Sequence, residues 1–361
     1  MWIKEEIGSL IRVRDMSEKR FGMLRMDRNE RTSDFNDDIL TKIRENITSE
    51  MITKYPEIET LYIKMAKYLG VEVDNLIFHT GSDLIIKAIY ETYISRGDKI
   101  LLQKPAYAMY DVYAKMFQAN MVIQQYGTNW VFNLEEYKEK IRCENPKMVI
   151  LENPNGSIGN SYSHKQVEAV IDVAAENNVL IVIDEAYIDF CGGTVIDLVK
   201  RYENLIVVRT MSKAWGMAGL RVGYAVACRE RINDLFQVKP MHQLTSISVM
   251  VAEILIDNYY VIDSYVEEMR RVREYIRKEF SNRKIAITDS VVHFVTADLG
   301  NILNVDEFRD YLQERGYLIR RTFSMPELKS WVRIGLLPME QMKDFIELLD
   351  NFLEEQQAGE G

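Results

Sequence analysis

The feature of this sequence that most restricts its fold is a series of seven short apolar runs separated by helical patterns. Each run is rich in Val, Ile and Leu and nearly continuous. Strands of this kind are buried on both faces, which is typical of a parallel sheet covered by helices on its two sides. The runs are NLIFHT (75–80), KILLQ (99–103), MVIQQY (121–126), KMVILENP (147–154), VLIVIDEAY (179–187), NLIVVRT (204–210) and RVGYAVA (221–227).

The segments between these runs have helical periodicity. In HKQVEAVIDVAAENN, the apolar residues Val167, Val170, Ile171 and Ala174 recur at helical spacing. PEIETLYIKMAKYL (56–69) has a similar apolar face. We therefore predict an α/β fold with a mostly parallel seven-stranded sheet in a large domain.

The pattern changes after about residue 249. A long charged helical pattern is followed by strand-like runs and a final helix, which predicts a smaller α+β domain. Its strand-like runs are KIAIT (284–288), HFVTADL (293–299), YLIRR (317–321) and WVRIGLL (331–337). We predict three regions: an N-terminal arm that joins the small domain (1–45), the large domain (46–248) and the C-terminal small domain (249–361).

Composition argues against several classes of partner. The 361 residues include 55 Asp and Glu against 45 Lys and Arg, a formal net charge of -10. Nucleic acids and anionic membranes are bound by basic patches, so we expect neither as a partner. No stretch approaches the roughly 18 apolar residues of a membrane span. The three cysteines, Cys143, Cys191 and Cys228, are sparse and form no CxxC, which favours a reducing compartment. We expect a cytoplasmic protein.

Polar side chains follow five of the predicted strands, at the edge where parallel sheets bind ligands. They are an anion-binding turn, an aromatic ring, an amide, a carboxylate and a lysine, which is the set of groups needed to hold pyridoxal phosphate. The segments are Thr80-Gly81-Ser82-Asp83, Lys104-Pro105-Ala106-Tyr107, Asn153-Pro154-Asn155-Gly156, Asp184-Glu185-Ala186-Tyr187 and Thr210-Met211-Ser212-Lys213.

With these residues, the chain resembles fold-type-I pyridoxal-phosphate enzymes, and specifically histidinol-phosphate aminotransferases and their relatives. The resemblance extends from RNE (28–30) to VRIG (332–335) and is most specific in SKAWGMAGLRVGY (212–224) and DEAYIDF (184–190). It implies a transaminase that moves an amino group between glutamate or 2-oxoglutarate and a small phosphorylated substrate. Two alternatives stay open: a decarboxylase of O-phosphorylated amino acids, and a binding or regulatory protein that keeps the fold.

The resemblance assigns the chemistry to three residues. Lys213 would attach the cofactor covalently and transfer a proton, whereas the alternative is a surface lysine. Asp184 would pair with the pyridine nitrogen and keep it protonated. Tyr187 would donate a hydrogen bond to the phenolic oxygen, although packing in the core is nearly as plausible an explanation. Glu185 should point away from Asp184, because successive side chains alternate along a strand.

The same resemblance assigns the phosphate and the pyridine ring to other residues. Gly81, Ser82 and Asp83 open a helix, where exposed N–H groups and the helix dipole attract anions. Ser and Asp also simply cap helices. Ser212 and Arg221 would complete the phosphate site, and Tyr107 would stack on the ring. The alternatives are a structural salt bridge for Arg221 and an interior tyrosine for Tyr107.

Three further positions match residues that the family uses around its substrate. Tyr55 would reach the phosphate in a neighbouring subunit, which implies a homodimer. Arg333 would bind the carboxylate of glutamate or 2-oxoglutarate through a bidentate fork. Arg320 would bind the substrate phosphate, and Arg321 is a close alternative because strand alternation sends one of the two inward.

Three segments depart from the family pattern: KPMHQLTSISV (239–249) stands where the family usually has a PYN-type sequence, GSDLI (81–85) stands where GSDEA is common, and the third lies at residues 153–160. NPNGSIGN (153–160) stands where the family usually has NPNNPTG. The asparagine expected beside the phenolic oxygen therefore aligns with Gly156, so either Asn155 reaches across or a neighbouring group substitutes for it. The four histidines (His79, His164, His242 and His293) are scattered, and we predict no metal site.

Overall fold

A computed structural model describes residues 2–8, 10, 20–127, 130–321, 323, 325 and 328–359. Its helices are α1 (Glu5–Gly8), α2 (Asp37–Asn46), α3 (Ser49–Thr53), α4 (Glu59–Leu69), α5 (Ser82–Tyr93), α6 (Met109–Met116), α7 (Leu134–Glu144), α8 (His164–Glu176), α9 (Arg229–Phe236), α10 (Ser246–Asp257), α11 (Tyr260–Asn282), α12 (Val305–Glu314) and α13 (Met339–Gly359). Its strands are β1 (Leu24–Arg25), β2 (Leu76–Thr80), β3 (Lys99–Lys104), β4 (Asn120–Gln125), β5 (Met148–Glu152), β6 (Leu180–Asp184), β7 (Leu205–Thr210), β8 (Val222–Ala227), β9 (Phe294–Asp298), β10 (Tyr317–Leu318) and β11 (Trp331–Gly335).

The described residues fall into two compact units. The first unit takes its residues from Met1–Val13, Phe35–Gly156 and Ser161–Tyr259. The second takes them from Arg14–Asp34, Ser157–Asn160 and Tyr260–Gly361. Within the described part of the chain, no helix is long and apolar enough to cross a membrane.

The first unit contains one seven-stranded sheet with the strand order β2-β8-β7-β6-β5-β3-β4. Strands β3 to β7 pair in parallel with their neighbours in this sheet, whereas β8 pairs antiparallel with both β2 and β7. Each of the seven predicted apolar runs contributes one strand. The predicted α/β fold with a mostly parallel seven-stranded sheet is therefore confirmed.

Burial explains why these runs form the central strands. Every residue of β5, β6, β7 and β8 is buried, so each strand has helices or loops against both of its faces. Helix α8 places its predicted apolar stripe in the core: Val167, Val170, Ile171 and Ala174 are all buried. Its polar positions are left at the surface, as expected for an amphipathic helix that covers a sheet.

The carboxyl ends of the parallel strands bring distant parts of the sequence to one edge. Glu152 ends β5 and Asp184 ends β6, and the two residues are direct partners in the sheet register. Thr210 ends β7, the next strand in the sheet, and Lys213 lies in the loop that follows. This edge is where open α/β sheets bind their ligands.

In its described residues, the second unit contains two small two-stranded sheets and the helices α11, α12 and α13. Strands β9 and β11 pair antiparallel, and β1 pairs in parallel with β10. Helix α11 buries an apolar stripe that includes Met269, Val272 and Ile276. The run KIAIT forms no strand, since its Ile287 makes only an isolated bridge to Ala297. The run YLIRR is a strand only at Tyr317–Leu318.

Candidate active site

Asp184 is a buried carboxylate at the end of β6, with only 5% of its surface exposed. Its Oδ2 accepts a hydrogen bond from the hydroxyl of Tyr110, and its Oδ1 accepts one from the N–H of Ala186 at 3.0 Å. Burial raises the pKa of Asp184, while these two hydrogen bonds and the charge of Lys213 act in the opposite direction. The two hydrogen bonds hold the carboxylate in place, while burial favours its neutral form, so the net shift of its pKa is upward.

Lys213 lies in the loop after β7, next to the strand that carries Asp184. Its Nζ is 5.4 Å from the centre of the Tyr187 ring, and the side chain of Tyr187 is itself buried. Because β6 and β7 are parallel neighbours, their carboxyl ends place Lys213, Asp184 and Tyr187 in one cluster. This cluster combines an amine, a carboxylate and a phenol within the first unit.

Gly81 allows the guanidinium of Arg221 to approach the start of helix α5. Gly81 has a φ of +81°, and a Cβ atom at this position would lie 2.7 Å from Nη2 of Arg221. Any larger residue would therefore be strained and would collide with the guanidinium. Ser82 and Asp83 form the first turn of α5, so the positive charge of Arg221 lies beside the N-terminus of a helix. This arrangement suits an anion.

Gly223 keeps β8 close to the same turn. A Cβ atom at Gly223 would lie 2.1 Å from the backbone nitrogen of Ser82, which no side chain could tolerate. His79 is the register partner of Gly223, so the contact is made where β2 and β8 pair. The glycine therefore allows the chain that carries Arg221 to pack directly against the start of α5.

The charges of other predicted site residues in the first unit act on the phenol of Tyr107. Burial raises the pKa of Tyr107, and the charges of Asp83 and Asp184 raise it further. Arg221 acts in the opposite direction. Tyr107 is 44% exposed, and the charges of both Asp83 and Asp184 act on its phenol.

Asn155 and Ser212 lie at the same edge of the sheet. Asn155 is completely buried, and its Nδ2 donates a hydrogen bond to the carbonyl oxygen of Pro105 at 2.9 Å. This bond fastens the loop after β5 to the loop that carries Tyr107. Ser212 is buried, and its N–H donates to Oγ1 of Thr210 at 3.1 Å.

The family model of class I and II aminotransferases matches residues 23–349 of the chain. The chain belongs to this family. It is 32% identical over 314 residues to the histidinol-phosphate aminotransferase of Caldanaerobacter subterraneus subsp. tengcongensis, covering 86% of this chain and 87% of that protein. It is 33% identical over 319 residues to the enzyme of the same name from Thermoanaerobacter pseudethanolicus, with coverages of 88% and 89%.

A solved structure shows the same fold. The histidinol-phosphate aminotransferase from Sinorhizobium meliloti, in complex with pyridoxal-5'-phosphate, superposes with a TM-score of 0.88 over 98% of both chains, at 21% identity. The predicted membership of the fold-type-I aminotransferases is confirmed. The chain is thus an aminotransferase rather than a non-enzymatic binding protein with the same fold.

The aminotransferase has a second buried carboxyl group that the sequence analysis did not identify. Glu152 is only 3% exposed; its Oε1 accepts a hydrogen bond from the N–H of Tyr107, and its Oε2 accepts one from the N–H of Gly156 at 2.8 Å. Burial, followed by the charge of Asp184, raises the pKa of Glu152 to about 7. The available signal was the glutamate at the end of the apolar run KMVILENP, where a charged residue needs partners in the core.

Glu185 has a separate set of partners in this aminotransferase. Its Oε2 accepts hydrogen bonds from Nε and Nη2 of Arg209 at 2.9 and 2.8 Å, and its Oε1 accepts one from the N–H of Val195 at 2.8 Å. Glu185 therefore forms a buried ion pair in the core, and strand alternation explains its separation from Asp184.

Arg333 and Arg320 lie in the second unit. Arg333 is a buried residue of β11 whose Nη2 donates to the carbonyl oxygen of Asp27 at 3.1 Å, and its guanidinium carbon is 5.4 Å from the centre of the Phe294 ring. Arg320 and Arg321 are both exposed. Strand β10 ends at Leu318, so strand alternation does not distinguish between these two arginines as the sequence analysis assumed.

Tyr55 is an exposed residue of the first unit, with 75% of its surface accessible. Its ring stacks on that of His242 with the centroids 4.0 Å apart and the planes 13° from parallel. An exposed aromatic pair of this kind offers a flat surface to a partner molecule.

Proposed function

We propose that this aminotransferase uses pyridoxal phosphate, held by the first unit, to move an amino group between glutamate or 2-oxoglutarate and a small phosphorylated substrate. The observation that carries the proposal is the cluster of Lys213, Tyr187 and Asp184 at the ends of β6 and β7. When bound, pyridoxal phosphate supplies an electron sink that stabilises negative charge on the substrate carbon next to the amino group.

The residues of the cluster fit the pyridine end of this cofactor. Burial raises the pKa of Asp184, and a positive charge beside it acts in the opposite direction; a protonated ring nitrogen would supply such a charge. Tyr110 and Ala186 hold both oxygens of Asp184 in fixed positions. Tyr107 would lie against the face of the ring, and Tyr187 would donate a hydrogen bond to its phenolic oxygen.

The turn at Gly81 fits the phosphate end. Arg221 brings a guanidinium to within 2.7 Å of the position of a Cβ atom at Gly81. Charge-assisted hydrogen bonds from arginine to phosphate are among the stronger polar contacts in proteins. We assign the phosphate to Arg221, the first turn of α5 with Ser82 and Asp83, and Ser212.

Lys213 has two roles in the proposal. Its amine would hold the cofactor covalently, and once released it would be the group that holds and moves a proton at the substrate. Because Nζ lies beside the Tyr187 ring, it would remain in the cluster while it transfers the proton.

The proposed substrates follow from the relatives. Two relatives with 32% and 33% identity are named histidinol-phosphate aminotransferases. We propose an amino donor or acceptor of the same chemical type, a small phosphate ester, and assign its phosphate to Arg320. Arg333 would bind the carboxylate of glutamate or 2-oxoglutarate. We also propose a cytoplasmic homodimer in which Tyr55 contacts the cofactor phosphate of the partner subunit.

The first experiment tests the covalent attachment. Purified protein is mixed with pyridoxal phosphate and reduced with borohydride, and the tryptic peptides are analysed by mass spectrometry. The adduct should lie on Lys213 and be lost in Lys213→Ala. The matched control is Lys87→Ala on the exposed face of α5, where the lysine pairs with Glu91. An adduct that persists in Lys213→Ala would contradict the assignment.

The second experiment tests the reaction. The loaded enzyme is mixed with glutamate, and conversion of the bound cofactor to the pyridoxamine form is followed by absorbance, with 2-oxoglutarate measured as the product. Release of carbon dioxide from a phosphorylated amino acid, without a glutamate half-reaction, would instead identify the decarboxylase alternative. A panel of phosphorylated ketones and amines, beginning with histidinol phosphate, then identifies the second substrate.

A further inference from the structure

Two buried carboxyl groups lie side by side at the proposed cofactor site. Glu152 and Asp184 are the last residues of the neighbouring parallel strands β5 and β6 and are direct partners in their register. Residues in register on adjacent strands project from the same face of a sheet. The structure therefore places the side chain of Glu152 beside the carboxylate that would bind the pyridine nitrogen.

Glu152 connects two loops of the site. The N–H of Tyr107, after β3, donates to Oε1, and the N–H of Gly156, after β5, donates to Oε2 at 2.8 Å. One carboxyl group thus fixes the backbone of the residue proposed to stack on the cofactor ring. It also fixes the backbone at the position where the family pattern has an asparagine.

Glu152 also occupies the space next to Gly156. A Cβ atom at Gly156 would lie 3.5 Å from Oε2 of Glu152 and 3.3 Å from Cε2 of Tyr187, with the Tyr187 hydroxyl 3.8 Å away. The glycine is therefore enclosed by Glu152 and Tyr187. Asn155 has its Nδ2 on the carbonyl oxygen of Pro105. Glu152 is a neighbouring group that reaches this place.

The charges around Glu152 favour a state in which Glu152 and Asp184 together bind one proton. Burial, followed by the charge of Asp184, raises the pKa of Glu152, while the two backbone N–H groups and Lys104 lower it, and the result is a pKa of about 7. Lys104 is shared with Asp111, whose Oδ2 is 2.6 Å from its Nζ. The other ionisable groups that face the pair are Tyr107, Tyr110, Tyr137, Glu185 and Lys213. Two buried carboxyl groups on register partners of adjacent strands cannot both ionise easily, and their titrations are coupled.

We propose that Glu152 is a positioning residue of the cofactor site that shares one proton with Asp184, and that a pyridine ring bound beside Asp184 expels this proton to the solvent. The inference rests on the proposed function. The protonated ring nitrogen brings one positive charge, and one proton leaves the pair. Asp184 then faces the ring nitrogen as a carboxylate, while Glu152 remains a carboxylate held by the N–H groups of Tyr107 and Gly156.

The test measures proton release directly, without enzyme activity. Cofactor-free protein is titrated with pyridoxamine phosphate, which binds without covalent attachment to Lys213, in buffers of different ionisation enthalpy. At about pH 7, wild type should release up to about one proton per site more than Glu152→Gln. Glu136→Gln, an exposed glutamate on α7, is the matched control and should behave like wild type.

The outcomes separate this inference from the proposed function. Equal proton release by wild type and Glu152→Gln, with both proteins binding the ligand, overturns the role of Glu152 and leaves the cofactor assignment intact. A wild-type protein that does not bind pyridoxamine phosphate at all overturns the proposed function itself.

A second measurement decides the question if Glu152→Gln does not fold. Infrared difference spectra of wild type with and without pyridoxamine phosphate report protonated carboxyl groups through their carbonyl stretch. We expect one such band to disappear when the ligand binds, because the shared proton is lost. If no protonated carboxyl band is lost on binding near neutral pH, the inference is overturned.

Discussion

The hydroxyl of Tyr110 donates a hydrogen bond to Oδ2 of Asp184 from the first turn of helix α6. Tyr110 follows the proposed stacking residue Tyr107 by three positions, and the two rings are perpendicular with centroids 6.0 Å apart. The same short segment therefore supplies a ring for one face of the site and a hydrogen bond for its buried carboxylate. Of these two tyrosines, only Tyr107 has a role that the family resemblance implies.

Tyr110→Phe should weaken cofactor binding by about tenfold. The substitution removes a hydrogen bond that favours the ionised form of Asp184. Hydrogen bonds to charged groups contribute about 1.5–3 kcal/mol. The measurement is a spectroscopic titration with pyridoxal phosphate. Tyr93→Phe is the control. It also removes a hydrogen bond from a tyrosine to a carboxylate, at 3.0 Å, but the carboxylate is that of Asp234 on α9, which is not a proposed site residue. Equal cofactor affinities for Tyr110→Phe and wild type would contradict the prediction.

Gly81→Ala should lower the affinity for pyridoxal phosphate by about tenfold or more. The new Cβ atom would lie 2.7 Å from Nη2 of Arg221, so the guanidinium must move from its place beside α5. The positive φ of +81° adds backbone strain on the order of 1 kcal/mol. Affinity is measured by titration, and stability by urea unfolding.

The control for this variant is Gly97→Ala, which separates strain from contact. Gly97 has a similar φ of +88°, but a Cβ atom there would meet nothing within 4 Å. We expect Gly97→Ala to lose stability and to keep its cofactor affinity. If both variants lose cofactor affinity equally, the effect of Gly81→Ala comes from strain alone.

The strands of the large sheet could be predicted because each one is buried on both faces. KMVILENP and VLIVIDEAY have almost no polar residue until the strand ends, so both the strand and the edge that carries polar groups are visible in the sequence. In the second unit, the short strand at Tyr317–Leu318 pairs with Leu24–Arg25, almost 300 residues earlier. No local pattern indicates where such a strand stops.

Glu152 could not be assigned from local sequence for a related reason. Its hydrogen-bond donors are Tyr107, which is 45 residues away, and Gly156, and its charged neighbour Asp184 lies on the next strand. The strand pairing that joins these residues depends on the register of the whole sheet. The sequence shows that a charge ends the strand, but not which groups surround it.

Arg209→Met should destabilise the protein by about 3–5 kcal/mol. Arg209 and Glu185 form a buried pair at 2.8 Å with side chains 8% and 0% exposed, and removing one partner leaves an uncompensated buried charge. Urea unfolding measures the loss. Lys54→Met removes an exposed pair with Glu50 and should cost less than about 1 kcal/mol. Similar losses for the two variants would mean that the buried pair has no special role in stability.

Glu152 should make the cofactor-free protein less stable as the pH rises toward neutrality. Burial, followed by the charge of Asp184, raises its pKa from 4.5 to about 7. Between these two pH values the unfolded chain has released the proton that the folded protein still binds, so stability that is present below about pH 4.5 is lost as the pH rises through about 7. At 1.36 kcal/mol per pKa unit, the loss is roughly 3 kcal/mol.

Glu152→Gln isolates this contribution from those of the other titrating groups. Glutamine does not ionise, so the free energy of unfolding of wild type minus that of Glu152→Gln should fall by roughly 3 kcal/mol between about pH 4.5 and 7.5. The glutamine amide also loses one acceptor for the N–H groups of Tyr107 and Gly156, which shifts the difference by the same amount at every pH. The change of the difference with pH, measured by urea unfolding across this range, therefore reports the ionisation that Glu152 contributes to its pair with Asp184. A constant difference would show that Glu152 has an ordinary glutamate pKa in the folded protein.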